Sequence, residues 1–156
     1  RIKIALIATI LALSLTACGA GFNASTRQIT QVTDGVEGAI KTEGNNIKLL
    51  NILVVETAEG AGVLVGTIVN SQTNEDALLG VAINGTVATV TGTNVLPQNS
   101  PIRFEGESAN AKAVAPVLIA KAGSHVQVTM FFARAGEITV LAIVRDQRDT
   151  YAGITA

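Results

Sequence analysis

Val126-Gln127-Val128-Thr129-Met130-Phe131-Phe132, then Arg134-Ala135-Gly136, then Ile138-Thr139-Val140-Leu141-Ala142-Ile143-Val144, decides the fold of this chain. Successive side chains on a strand point to opposite faces, so Val126, Val128, Met130 and Phe132 share one face. Ile138, Val140, Ala142 and Val144 alternate back after a Gly-containing turn. The pair predicts a hairpin with one face in a core. Upstream, Ile47-Lys48-Leu49-Leu50-Asn51-Ile52-Leu53-Val54-Val55 is apolar on both faces, which predicts a central strand between two layers. Val63–Val69 predicts the next strand, and Gly66 inside it predicts a bulge or a close backbone approach. The polar run Ser71–Asp76 turns the chain into a strand over Leu78–Ile83. Asn84-Gly85 suits either a two-residue hairpin or a bend within a longer strand that Val87–Val90 continues.

Between these segments lies a looser stretch with Pro97, Pro101 and Pro116, carrying short strand candidates at Ile102–Phe104 and Val114–Ile119. Residues 36–46 are rich in Gly and Asn and predict loops; residues 146–156 read as a polar, exposed tail. Val, Ile, Thr, Ala and Gly dominate, and no helix-period segment of useful length follows residue 18. The reading is all-β: a sandwich or barrel of about 7–9 short strands.

The N-terminus says where such a domain works. Arg1 and Lys3 precede the apolar run Ile4–Leu15, and Thr16-Ala17-Cys18-Gly19 follows. A basic start, a short apolar stretch and small residues at the cut site predict a secretory signal helix over residues 1–17. Leu15 and Ala17 before Cys18, with Gly19 after it, resemble a bacterial lipobox. In such a site the Cys18 thiol receives a diacylglycerol and becomes the mature N-terminus. Each buried methylene contributes about 0.8 kcal/mol, so two or three acyl chains hold a small domain on a membrane. The competing reading is an ordinary signal peptide with an incidental cysteine. Residues 18–46 are then a lipidated N-terminus and flexible tether, residues 47–145 the β domain, and the expected location is the extracytoplasmic (periplasmic) face of the cell membrane. Cys18 is the only cysteine, so the chain forms no internal disulfide.

Composition and spacing exclude several activities. The formal charge is −1, and removal of Arg1 and Lys3 makes the remainder more acidic. Scattered basic residues, one Tyr and no Trp do not suit nucleic acid, which needs a cationic stripe and stacking rings. A hydrolytic triad needs a base beside its nucleophile, and His125 is the only histidine. The acidic pairs Glu75-Asp76 and Glu105 with Glu107 stand in turn-like stretches and read as solvated surface charge. Asn74-Glu75-Asp76 falls short of a calcium cage, and no Gly-rich stretch leads into Gly-Lys-Ser/Thr. The reading assigns no catalytic residue, no metal ligand and no cofactor.

Two blocks carry a family resemblance. Gly62-Val63-Leu64-Val65-Gly66-Thr67-Ile68-Val69-Asn70, followed by Glu75-Asp76-Ala77-Leu78-Leu79-Gly80-Val81, resembles the early strands of the PCuAC family of periplasmic copper chaperones. Lys121-Ala122-Gly123-Ser124-His125-Val126 through Phe132, with Ala135-Gly136-Glu137-Ile138-Thr139-Val140, resembles that family's last hairpin. The resemblance spans roughly residues 48–145 and implies a cupredoxin-like, immunoglobulin-like β-sandwich. It also implies a copper site made of a His, a distant Met and a His-x-Met pair, soft ligands that suit Cu(I). The first ligand is expected near Val87–Thr91 and the pair near Ser108–Val114, yet neither segment contains His or Met. His125 and Met130 are five residues apart, so a regular strand points them to opposite faces. Gly35-Val36-Glu37-Gly38-Ala39 and Gly44-Asn45-Asn46-Ile47, after the lipobox, resemble the LpqE-type lipoproteins of actinobacteria, which are PCuAC-like domains without the metal ligands.

Three functions remain open at this point. The first is a non-catalytic, lipid-anchored interaction domain, an accessory subunit or assembly factor of the cytochrome bc–oxidase supercomplex of the respiratory chain. The second is a divergent chaperone delivering copper to cytochrome oxidase, with His125 completed by another chain. The third is a carrier of a small apolar ligand between the sheets.

Overall fold

The apolar alternation is carried through into strands in the computed structural model, which describes residues 34–42 and 44–156. Ten strands form there: β1 (Val36–Thr42), β2 (Asn45–Glu56), β3 (Gly62–Asn70), β4 (Asp76–Ile83), β5 (Thr86–Gly92), β6 (Val95–Leu96), β7 (Ile102–Arg103), β8 (Ala111–Ala115), β9 (His125–Phe132) and β10 (Gly136–Asp146). A single 3-10 turn, Asp149–Tyr151, follows β10. Seven strands pair in the order β2, β10, β9, β4, β5, β8, β3, and β3 returns to β2, so the sheet closes on itself. A ring with an odd number of strands cannot alternate direction all the way round. One pair must run parallel, and it is β2 with β10, Val144 facing Val54. Strand β1 lies on β2, β7 on β3 and β6 on β4, outside the ring. Closure removes the exposed edges that an open sheet of this size would present.

Strand β2 explains how one segment serves two cores. Its pairing with β3 slips between Leu50 and Leu53, where Asn51 and Ile52 together face Gly66. Asn51 sits at φ 53° and Gly66 at φ 141°. A Cβ at Gly66 would lie 2.6 Å from Ile52 Cδ1 and 3.0 Å from the Asn51 carbonyl oxygen, so bulge and close approach are the same feature. The extra residue reverses the facing of the strand. Ile47 and Leu49 point into the barrel before it, Ile52 and Val54 after it. Leu53 and Val55 point outward, where Val63, Ile154 and Tyr151 cover them in a second, smaller core. The main core is filled by Phe104, Leu96, Ile102, Met130 and their neighbours, all with negligible exposure.

The closing hairpin is as the alternation predicts, with Val126, Val128, Met130 and Phe132 buried and Val140, Ala142 and Val144 beside them. Asn84-Gly85 is a true two-residue hairpin, because Ile83 faces Thr86 directly and both turn residues have positive φ. Three expectations are corrected. Residues 36–46 are not loop and tether: β1 hydrogen-bonds along β2, and Ile40 is buried, so the domain begins before Val36 rather than at residue 47. The strand expected at Val114–Ile119 lies earlier, over Ala111–Ala115, since Pro116 offers no N–H to a ladder; Val117 and Ile119 are exposed. The C-terminal residues are not a free polar tail, because Ile154 is buried and its carbonyl accepts a 2.6 Å hydrogen bond from Gln147 Nε2. The segments expected as signal helix (residues 1–17) and as lipidated Cys18 with the first part of the tether lie outside the described residues.

Candidate functional site

The two segments where the resemblance expects copper ligands are neighbours. β5 and β8 pair antiparallel, with Thr89 opposite Val114, Thr91 opposite Lys112 and Gly92 opposite Ala111. Ala88, Ala111 and Ala113 face the barrel core, which leaves Thr89, Thr91, Lys112 and Val114 on the outer face. Hydroxyl, ammonium and alkyl groups stand where imidazole and thioether would be needed. These residues do not fit a Cu(I) ion, and Lys112 adds a positive charge that opposes one. The parity objection also holds. Met130 is fully buried opposite Ile138, and His125 is exposed opposite Ile143. Among the described residues, no three His, Cys, Asp or Glu side chains gather closely enough to hold a metal ion.

The polar residues that define the family-like blocks have structural work. Asn70, 1 % exposed, ends β3 and donates from Nδ2 to the carbonyls of Asn74 and Leu96. Its Oδ1 accepts the Gln72 N–H at 2.9 Å. Asp76 is 4 % exposed, which corrects the expectation of a solvated charge there. Its carboxylate accepts the backbone N–H groups of Ala77, Arg134 and Ala135 at 2.7, 2.9 and 2.9 Å. One carboxylate thereby ties the start of β4 to the β9–β10 turn, satisfying donors that the turn leaves unpaired. Glu75 beside it is exposed, in line with the sequence reading. A buried acid at a turn is signalled by no period, so only the flanking alternation of β4 could have shown that residue 76 points inward.

A concavity lies outside the barrel. A groove of about 490 Å³ runs between the β2 bulge and the C-terminal turn, with Val65 and Ile154 among its apolar surfaces and Asn51, Glu105 and Tyr151 among its polar ones. Glu105 is half-buried, and desolvation raises its carboxyl above the usual carboxylate range, with Lys112 opposing the shift. Burial likewise raises the Tyr151 phenol, and the Asp34 carboxylate adds to the effect while Arg145 opposes it. Asp34 and Arg145 form a solvent-exposed ion pair at 3.2 Å. At the end of β2, the Lys121 ammonium hydrogen-bonds Glu56 at 2.5 Å and holds its carboxyl below the ordinary range.

The sequence matches no protein-family model and no curated protein. Solved structures do match. The copper-bound PCuAC domain from PmoF2 superposes with a TM-score of 0.58 at 22 % identity, over 71 % of this chain and 98 % of that one. The apo PCuAC domain from PmoF1 gives 0.58 at 18 % identity, over 71 % and 99 %. The fold is that of a PCuAC domain. The apo form of the PmoF2 domain gives 0.56 at 22 % identity, over 66 % and 92 %, so the likeness holds to both the copper-bound and the apo domain. On the PCuAC fold, the buried roles of Asn70 and Asp76 account for a sequence resemblance that lacks the ligands.

Proposed function

We propose that this chain is a non-catalytic binding domain on the PCuAC fold that serves copper handling outside the cytoplasm. The observation that carries the reading is the superposition on a copper-bound PCuAC domain along nearly the whole length of that domain. The chemistry sets a condition on it. Cu(I) requires two or more soft ligands, and the barrel offers one exposed imidazole, His125, with Met130 sealed in the core. A copper ion is therefore held between His125 and ligands from another chain, in a transfer complex or a second copy. Titrating Cu(I) against a chromophoric competing chelator tests this, alone and with a second equivalent of protein. The expected result is binding of one copper per two chains, lost in His125→Ala. No competition by the wild-type chain at any protein concentration would overturn self-association as the source of ligands.

A second reading is favoured by the residues on the paired strands, where Thr89, Thr91, Lys112 and Val114 replace any ligand set. In it the barrel is a docking module, an accessory subunit or assembly factor of a respiratory membrane complex, held on the extracytoplasmic face by lipidated Cys18. Support for the anchor is the lipobox-like sequence alone. Co-purification from detergent-solubilised membranes with respiratory subunits, and loss of membrane association in Cys18→Ser, are the outcomes this reading expects.

A further inference from the structure

The groove beside the C-terminal turn is lined by none of the residues considered for copper. Its volume of about 490 Å³ falls in the ordinary range for small organic ligands. Val65 comes from β3, Asn51 from the β2 bulge, Glu105 from the loop after β7, and Tyr151 and Ile154 from the C-terminal segment. Four separate parts of the chain thus converge on one space, and each contributes a different chemistry.

Glu105 sets the charge of the ligand. Among the described residues its carboxylate forms no ion pair and no hydrogen bond, and Lys112 acts on it only through space. A half-buried carboxylate with no direct partner loses hydration that the distant Lys112 charge only partly offsets, so a cation delivered into the groove makes up the rest. Tyr151 contributes an aromatic ring to the same space, a surface that attracts soft cations through its quadrupole. Asn51 accepts the Gly35 N–H on its Oδ1 at 2.9 Å, which ties one wall of the groove in place. Val65 and Ile154 offer the hydrocarbon against which an alkyl body lies. The combination disfavours a metal aquo ion, which needs several oxygens, and an anion, which the carboxylate repels.

We propose that this groove binds a small organic ammonium ion, its charged head against Glu105 and the Tyr151 ring and its alkyl portion on Val65 and Ile154. A quaternary ammonium head occurs both in free small organic cations and in phospholipid head groups. Titration of hexyltrimethylammonium into the full chain, followed by NMR on the Val65 and Ile154 methyl groups, tests the site directly. Saturable shifts at both positions are expected, with His125 unmoved. Glu105→Gln is expected to weaken the affinity about tenfold, and Tyr151→Leu, which keeps the apolar cover, about fivefold. Uncharged hexanol should bind more weakly than the ammonium to the wild-type chain and equally to Glu105→Gln. Vesicles of phosphatidylcholine separate the two sources: competition with hexyltrimethylammonium assigns the site to a lipid head group, and its absence to a free small organic cation. Unshifted Val65 and Ile154, or equal affinity in wild type and Glu105→Gln, would overturn the proposal.

Discussion

Asp76 shows how much one side chain can hold. Its two oxygens serve three part-buried backbone donors, one at the start of β4 and two in the β9–β10 turn. Asp76→Ala is expected to cost about 2–3 kcal/mol, because three part-buried donors lose a charged acceptor together. Asp76→Asn is the informative comparison. Its remaining oxygen can take the Ala77 and Arg134 N–H groups, while its NH2 group confronts the N–H of Ala135, so it is expected to cost about half as much. Urea denaturation of both variants checks the order. If Asp76→Ala unfolds at the wild-type midpoint, the carboxylate is not the tie between β4 and the β9–β10 turn. At this scale the sequence was least legible. Asp76 and Glu75 are adjacent acids in one polar run, yet one is buried and the other exposed, and only the third dimension separates them. Glu105 and Glu107 divide in the same manner, the former half-buried at the groove and the latter in solvent.

Elements were far more legible, for a physical reason. A period of two survives from sequence to structure wherever a strand has one buried face, and β9 and β10 follow it along their length. The apolar run at Ile52–Val55 was equally clear as a strand, but its cause was not. It is buried on both faces because a bulge turns it between a barrel core and a second core under the C-terminus. Gly66 is the point on which that turn depends. Gly66→Ala brings a methyl group within 3.1 Å of two backbone oxygens, Asn51 O and Leu50 O, in a conformation that side chains avoid. It is expected to cost about 2–3 kcal/mol. Gly85→Ala meets nothing within 4 Å, so its positive φ alone should cost about 1 kcal/mol. Thermal unfolding that ranks Gly85→Ala as the more damaging would show that the bulge can relax. β1 escaped the sequence reading because Gly38 lies in its middle, and Gly38 is there because a Cβ would press to 2.8 Å from Val140 Cγ1.

For the molecule as a whole, the unexpected feature is how far the last residues reach back. Ile154 and Tyr151 lie over Leu53, Val55 and Val63, residues from the first half of the chain, and Gln147 braces them by accepting the Ala58 N–H at 3.0 Å. Ile154→Ala is expected to lose about 2 kcal/mol, the low end for a buried large-to-small change because a terminal segment can settle into the space. Ending the chain at residue 146 should cost more, since three apolar side chains of the sheet then face water; chemical denaturation compares the two. A truncated chain as stable as the full one would reduce the C-terminal cover to a surface ornament. The whole-molecule architecture was only half visible beforehand, because alternation reports which residues are inside but not which strand closes the ring.

The strand that closes it is also the last of the ten in chain order. β10 stands between β2 and β9, with β2 made some ninety residues earlier. Until Asp146 has emerged, β9 keeps a bare edge, and the Val54–Glu56 end of β2, which β1 does not reach, keeps its ladder groups unpaired on that side. No N-terminal fragment of this chain is therefore a smaller barrel. A chain growing or threading from its N-terminus leaves the ring unfinished until β10 arrives, and in that interval it depends on whatever shields those edges from other chains.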